Sequence, residues 1–553
     1  MATLNGKRAV VFDLGGVVLG SPLQGIAEHE KEFGIADGFV NISIVQRGRQ
    51  GAFERLERGE LPLDDFYRVF REELGSPEAM EQFKAYLTKK GKPVPPNLPA
   101  SYDIDTEKMF GTMMSCAAQV NRDMCHALFV LRGLGLKVCA LTNNWKMGGD
   151  DDSSSTKILR AFFDHILESS ELGLRKPDER IYRHTEKVLG VSSEEICFLD
   201  DIGTNVKAAR KIGWTTVKVE LGNKLKAIRE LAVALGLPED TLLIHNDRPT
   251  KLQLPVSAAG NLVCDLYGSA TDPIVIFLHG GGQTRHTWER SAAAFVAEGF
   301  CALLVDMKGH GESDWDERPG VDDNERYAVR SYAEDLDRLV AFFTLNEHPR
   351  GFAIVGASLG GIATLSTDRA RHEAAAIVLV DIVPRMQPEG VHRVLSWMKE
   401  TGEAGFDTLD EAADAIAAYN PTRTPRPRED VLAGLQKNLR RTPTGRWKWH
   451  WDPKFVGSQK PANADLEAYH SRIQAHAKDT QTPCLLVRGR ETDLVSESAA
   501  EEFVQIMPNA RFVNVEKAAH MVVGDRNDVF ASEALSFLRA HLAPELASPT
   551  AKL

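Results

Sequence analysis

A short, uninterrupted apolar run that stops at a polar residue or a glycine recurs along this chain, and it limits the fold more than any other feature. Ala9–Phe12 stops at Asp13, Val138–Leu141 at Thr142 and Ile196–Leu199 at Asp200. A second series follows: Ile274–Leu278, Ala302–Val305, Ala353–Val355, Ile377–Val380 and Leu485–Val487. Runs of this length without polar alternation fit strands buried on both faces of a parallel sheet. Ligands of such sheets bind beyond the carboxyl ends of the strands, so the residues that close the runs are the first candidates for chemistry.

The runs fall in two series, and 553 residues exceed what one hydrophobic core holds. The expected organisation is an α/β domain over residues 1–235, a linker over 236–256 and a second α/β domain over 257–553. The linker segment, GLPEDTLLIHNDRPTKLQLPV, is polar and carries three prolines. The charged stretch FERLERGELPLDDFYRVFREEL lies between the first two runs and predicts a small helical cap. Between about 385 and 475 the pattern turns helical and irregular and includes GRWKWHWDPKF, which predicts a lid over the second sheet.

Composition excludes several classes. With 66 basic against 78 acidic side chains the net charge is −12, which argues against a nucleic-acid surface. No apolar stretch is long enough to span a bilayer. The N-terminal MATLNGKRAVVFD runs straight into a strand without a signal-peptide core. Seven cysteines stand singly, without CxxC spacing, which points to a reducing compartment and no structural zinc. The last residues, Ala551-Lys552-Leu553, are a variant of the S-K-L peroxisomal address, so the expected location is peroxisomal or cytoplasmic.

In the first domain, Asp13 in VVFDLGGVV is placed to act as a nucleophile toward phosphorus. Thr142 and Asn143 in LTNNW end the next run and are candidates to hold phosphate oxygens. Lys176 in GLRKPD supplies a cation. Asp200 and Asp201 in CFLDDIGTN add carboxylates sufficient, with Asp13 and a backbone carbonyl, to hold Mg²⁺. Singly, an Asp at a strand end reads as a helix cap and an Asp pair as a solvated turn; their order and placement favour a site. The segment resembles the haloacid dehalogenase superfamily, and LTNNW and FLDDIGTNVKAAR are most similar to the phosphatase domain of bifunctional soluble epoxide hydrolases. That resemblance implies a Rossmann-like domain with a helical cap. It also implies Asp13 as nucleophile and metal ligand, with the Gly15 carbonyl and Asp201 completing the protein's share of the Mg²⁺ shell. One position departs from the pattern. The superfamily's phosphatases carry a second Asp two residues after the nucleophile, where this chain has Gly15, and that acid contributes ~10²–10⁴-fold. The competing expectation is a non-catalytic first domain kept for dimerisation, which would make the protein a homodimer.

In the second domain, Gly356-Ala357-Ser358-Leu359-Gly360 sits between a strand-like run and a helix-like one, the context in which GxSxG presents a nucleophilic serine. An acid and then a histidine should follow. Asp493 in RGRETDLVSE and His520 in NVEKAAHMVVGD fill the order, with Asp381 after VLV as the rival acid. His279-Gly280-Gly281-Gly282 offers a backbone N–H, that of Gly281, to pair with that of Leu359 as an oxyanion hole. His310, in the loop DMKGHGES (Asp306–Ser313), is expected to be structural. Trp447, Trp449 and Trp451 line an apolar substrate pocket or, equally, form one face of a strand or part of a packed lid.

This half resembles the α/β-hydrolase superfamily with a helical lid, and DMKGHGES is very similar to the matching loop of soluble epoxide hydrolases. HGGGQTRHTW resembles that of a group of serine α/β-hydrolases. Epoxide opening in the family uses a carboxylate nucleophile, whereas a serine would leave an ether with no carbonyl for water to attack. Ser358 therefore fits acyl chemistry on esters, lactones or related small molecules, with no cofactor. Epoxide hydrolysis is the alternative. Tyr419 and Tyr469 are the lid tyrosines, and their expected role without an epoxide is packing.

Overall fold

In the computed structural model, residues 4–145, 162–343, 351–419, 427–457 and 463–542 are described. The chain divides into two compact units, residues 1–243 and 244–549.

The first unit is built on five parallel strands: β1 (Ala9–Phe12), β2 (Lys137–Thr142), β3 (His165–Glu168), β4 (Ile196–Asp200) and β5 (Thr215–Lys218). Their order is β3-β2-β1-β4-β5. The three central strands are the three apolar runs, and every residue of β1 and β4 is buried. Phe12 pairs with Ala140 on one side and Leu199 on the other, so Asp13, Thr142 and Asp200 emerge at one sheet edge. The edge strands β3 and β5 are short and polar, which is why no apolar run marks them. The expected cap is present. Helices Ala52–Glu57 and Leu63–Leu74 turn Phe53, Leu56, Phe66, Phe70 and Leu74 into a separate core with Phe83, Met109 and Phe110.

The second unit carries eight strands: β6 (His245–Ser257), β7 (Gly260–Gly268), β8 (Ile274–Leu278), β9 (Cys301–Val305), β10 (Phe352–Ala357), β11 (Ala376–Val380), β14 (Cys484–Gly489) and β15 (Ala510–Val515). The order is β15-β14-β11-β10-β8-β9-β7-β6, parallel except where β7 pairs with β6 and β9. The linker expected over 236–256 is therefore corrected. From His245 onward it is β6, with Thr250, Leu252, Leu254 and Val256 buried and the residues between them exposed. Two prolines hid that period-two pattern. An edge strand tolerates them because one side of its backbone needs no ladder partner.

The lid region carries helices Pro388–Ala404, Leu409–Tyr419, Arg428–Asn438 and Asn463–Asp479, together with an antiparallel hairpin of β12 (Leu439–Arg441) and β13 (Trp447–Trp449). Of the alternating tryptophans, Trp447 and Trp449 lie in β13, and Trp451 makes an isolated bridge with His310. No helix among the described residues is long and apolar enough to cross a membrane. All seven cysteines are free thiols. The C-terminal tripeptide lies outside the described residues.

Candidate active sites

Ser358 stands between β10, in the middle of the second sheet, and the helix Leu359–Leu365. Its backbone is held at φ 46° and ψ −111°, a conformation a non-glycine residue adopts only under tertiary constraint. The glycines around it let helix and strand meet. A Cβ on Gly360 would lie 2.6 Å from Leu278 O, and one on Gly356 would lie 2.7 Å from the Gly360 backbone. The serine borders a cavity of about 2000 Å³, which it shares with Gly281, Leu359 and His520.

The acid is where the structure departs from the expected assignment. His520 Nδ1 lies 2.8 Å from Asp381 Oδ2, not against Asp493. Asp381 directly follows β11, is completely buried and has φ 49°. Its carboxylate also accepts from the Gly489 N–H at 3.1 Å and the Thr492 hydroxyl at 2.6 Å. Three donors converge on it. Asp493, which follows β14, is half-exposed on the cavity wall and pairs with Arg393 at 2.6 Å. With Nδ1 committed to Asp381, Nε2 is the nitrogen left to exchange a proton with a nucleophile.

Beside Ser358, the glycine loop offers donors. Gly280 N–H donates to Gln283 Oε1 at 3.0 Å and Gly282 N–H to His310 Nε2 at 3.1 Å. The Gly281 N–H between them has no protein partner among the described residues. Leu359 is the first residue of its helix, so its N–H is one of the donors a helix leaves unpaired. His310 is structural, as expected. It is fully buried, its Nδ1 pairs with Lys308 O, and burial, then neighbouring His279, pushes its pKa down to about 3. Trp449, Trp451, Met398, Phe455 and Tyr419 line the cavity, whereas Trp447 does not. Tyr419 rests on Trp397 with ring centroids 4.8 Å apart and the Arg393 guanidinium 4.9 Å from its own. The side chain of Tyr469 lies outside the described residues.

In the first unit, the Asp13, Asp200 and Asp201 carboxylates lie within 4.8 Å of one another. Lys176 Nζ, fully buried, bridges Asp13 at 2.9 Å and Asp200 at 2.8 Å. Burial alone would lower the lysine; Asp13 and then Asp200 outweigh it and hold its pKa raised. Asp200 also accepts from the Ile202 N–H and the Asn205 amide, so its lone pairs are spent on positioning. Asp201 is different. Its Oδ1 is buried without a hydrogen-bond partner, and burial followed by the Asp200 charge pushes its pKa up to about 6. Burial likewise raises Asp13, the lysine working against it. Two such carboxylates beside one cation, one of them orphaned, suit a small divalent ion. Gly16 is dictated by this cluster: it has φ +78°, and a Cβ there would sit 2.2 Å from Asp201 Oδ2.

Thr142 ends β2 with its hydroxyl in only a 3.5 Å contact to Asn143 O. The Asn143 side chain is engaged within the protein. Its Nδ2 donates to Lys176 O at 3.1 Å and its Oδ1 accepts from Lys176 N–H at 2.9 Å, so the amide clamps the lysine backbone.

Comparison with known proteins finds a hydrolase family for each unit. Residues 7–213 match the profile of the haloacid dehalogenase-like hydrolases, and residues 275–534 that of the alpha/beta hydrolase family. The chain joins a haloacid dehalogenase-like hydrolase domain to an alpha/beta hydrolase domain. It is homologous to bifunctional epoxide hydrolase 2 of Sus scrofa, with 28% identity over 319 residues, 55% of this chain and 53% of the relative. The chain thus spans about half the length of such curated relatives. Esterase Rv0045c of Mycobacterium tuberculosis is 28% identical over 303 residues, 53% of this chain and 92% of that protein. Among solved structures, an alpha/beta hydrolase from Novosphingobium aromaticivorans covers 53% of this chain and 99% of its own, at 21% identity and a TM-score of 0.42.

Within the alpha/beta hydrolase domain, sequence order admitted both Asp381 and Asp493 as the acid before the histidine. The residue that sequence reasoning passed over is Gln283, whose only signal was its place directly after the glycine triplet.

Proposed function

We propose that the alpha/beta hydrolase domain is a serine acyl hydrolase whose triad is Ser358, His520 and Asp381, and that its substrates carry a bulky apolar group. The 2.8 Å contact between His520 Nδ1 and the buried Asp381 carries the reading. Ser358 Oγ attacks a carbonyl carbon and its proton passes to His520 Nε2. As the tetrahedral adduct collapses, the bond from the carbonyl carbon to the leaving oxygen, sulfur or nitrogen breaks and that atom takes the proton from His520, which leaves the acyl group on Ser358. Water, deprotonated by the same nitrogen, then releases the acid and regenerates the serine. Asp381 fixes the ring and stabilises the imidazolium. The N–H groups of Gly281 and Leu359 receive the negative oxygen. A cavity of about 2000 Å³, walled by Trp449, Trp451, Phe455 and Met398, favours substrates larger than those of ordinary pockets of roughly 300–1,000 Å³. Nitrophenyl esters of increasing acyl length, lactones and epoxides tested side by side decide this reading. Ester hydrolysis that rises with acyl bulk and disappears in Ser358→Ala supports it; epoxide turnover that survives Ser358→Ala overturns it.

For the first domain we propose a Mg²⁺-dependent phosphomonoesterase with slow turnover. Asp13, the Gly15 carbonyl and Asp201 would hold the ion, which when bound neutralises phosphoryl oxygens. Asp13 Oδ2 is the attacking atom, since Oδ1 is held by Lys176 and the Leu14 N–H. Slow turnover follows from Gly15. A Cβ there would meet Pro22 Cδ at 3.1 Å, a contact a small shift of the ring relieves. Gly15→Asp is therefore expected to raise phosphatase kcat, by up to ~10²-fold, as a general acid does. Calorimetry should show millimolar Mg²⁺ binding that Asp201→Asn removes; heat-silent titration of the wild type would end the proposal.

A further inference from the structure

We infer that Gln283 is a positioning residue for the oxyanion site, tying the loop that carries Gly281 to the segment that carries His520. The inference rests on the acyl-hydrolase reading above. Gln283 follows the glycine triplet in a tight turn closed by its own N–H on Gly280 O at 3.2 Å. Its side chain then folds back over that turn. Oε1 accepts the Gly280 N–H at 3.0 Å, and Nε2 donates to the thioether of Met521 at 2.9 Å. Met521 directly follows His520, and Gln283, Met521, His520 and Ser358 all border the same cavity.

The amide cannot be turned around without loss, because Gly280 N–H needs an oxygen opposite it. His310 makes the matching bond on the other side through Gly282 N–H, and burial keeps that ring an acceptor. Two side chains thus consume the N–H groups on either side of Gly281 and fix the plane of the peptides between them. Gly281 itself borders the serine's cavity, and its N–H has no protein partner among the described residues. Space adds to the constraint: a Cβ on Gly280 would sit 3.2 Å from Gln283 Oε1 and 3.3 Å from Ser358 Cβ. Without the Gln283 bond, Gly280 can rotate its N–H toward solvent, and the donor at Gly281 swings with it. A mis-aimed donor weakens transition-state binding and leaves ground-state contacts of the apolar cavity in place.

The test uses the full-length protein and a fluorophosphonate. Its phosphoryl oxygen takes the oxyanion position as the Ser358 Oγ–P bond forms, fluoride leaves and the serine proton passes to His520. Gln283→Met keeps length and removes the acceptor; Gln283→Glu keeps the acceptor. Gln283→Met is expected to slow phosphonylation and kcat on a nitrophenyl ester by roughly tenfold to a hundredfold, with KM changed less than about threefold; Gln283→Glu, which keeps the Gly280 bond but loses the Met521 bond and brings a negative charge toward the oxyanion, is expected to slow both less than Gln283→Met does. Thermal midpoints are taken first. If Gln283→Met melts early, Gln283→Asn, too short to reach Gly280, replaces it with the same expected slowing. Wild-type labelling with an unslowed folded variant overturns the role of Gln283 and leaves the acyl-hydrolase reading standing. Absence of labelling in the folded wild type overturns that reading itself.

Discussion

Asp381 and Asp493 are both aspartates just past an apolar strand, and both precede His520, so sequence order cannot separate them. What separates them is their surroundings. Asp381 sits at φ 49°, completely buried under three donors, while Asp493 is exposed and held by Arg393. Asp381→Asn keeps the size but presents an amide to Nδ1, favouring the wrong tautomer. A loss of ~10³–10⁴ in kcat is expected, measured on the best nitrophenyl ester. Asp493→Asn breaks only an exposed ion pair and should stay within about fivefold, the limit for a pair worth up to 1 kcal/mol. The reverse ranking would return the acid to Asp493. Ser358, Asp13, Lys176 and Asp201 were legible because each closes a run or sits in a recognisable motif. The contacts of the Asn143 amide were not, because which way an amide points depends on the loop bearing Lys176, 33 residues away in sequence.

At the level of elements, the buried central strands were legible from their apolar runs, and the edges were not. β3 and β5 are short and polar, and β6 alternates in a segment whose prolines suggest a linker. The tryptophan run reads equally well as pocket lining or as a packed strand or lid; pairing with Leu439–Arg441 makes Trp447–Trp449 a strand, and Trp449 and Trp451 line the cavity as well. The close approach of the helix Leu359–Leu365 to β8 leaves no room for a side chain at Gly360, where a Cβ would lie 2.6 Å from both Leu278 Cβ and Leu278 O. Gly360→Ala should therefore destabilise the second unit by about 1–3 kcal/mol through overpacking. Differential scanning calorimetry reads this as a lower midpoint; an unchanged midpoint would mean that the helix and strand can separate without loss.

At the level of the molecule, each unit has its own sheet and core, and the second carries two deeply buried imidazoles that make it sensitive to mild acid. Burial pushes His279 down to about 4 and His310 to about 3, and both Nε2 atoms accept backbone N–H bonds in the second unit. In the unfolded chain these rings bind protons near pH 6.5. The native state must exclude those protons, so the stability they lend is full above 6.5 and drains as pH falls toward 4 and then 3. The midpoint of the second unit should begin to fall below about pH 6.5, before most carboxylates titrate. A midpoint that is flat from pH 7 to 5 would contradict buried neutral imidazoles.

The reading of Ser358 as the acyl carrier is tested most directly by stopping nitrophenyl-ester turnover in acid within the burst and weighing the protein. The expected result is a burst of nitrophenol matched by one acyl group, located by digestion on the peptide containing Ser358 and missing in Ser358→Ala. Turnover without a burst, with no acyl mass on that peptide and activity persisting in Ser358→Ala, would contradict it.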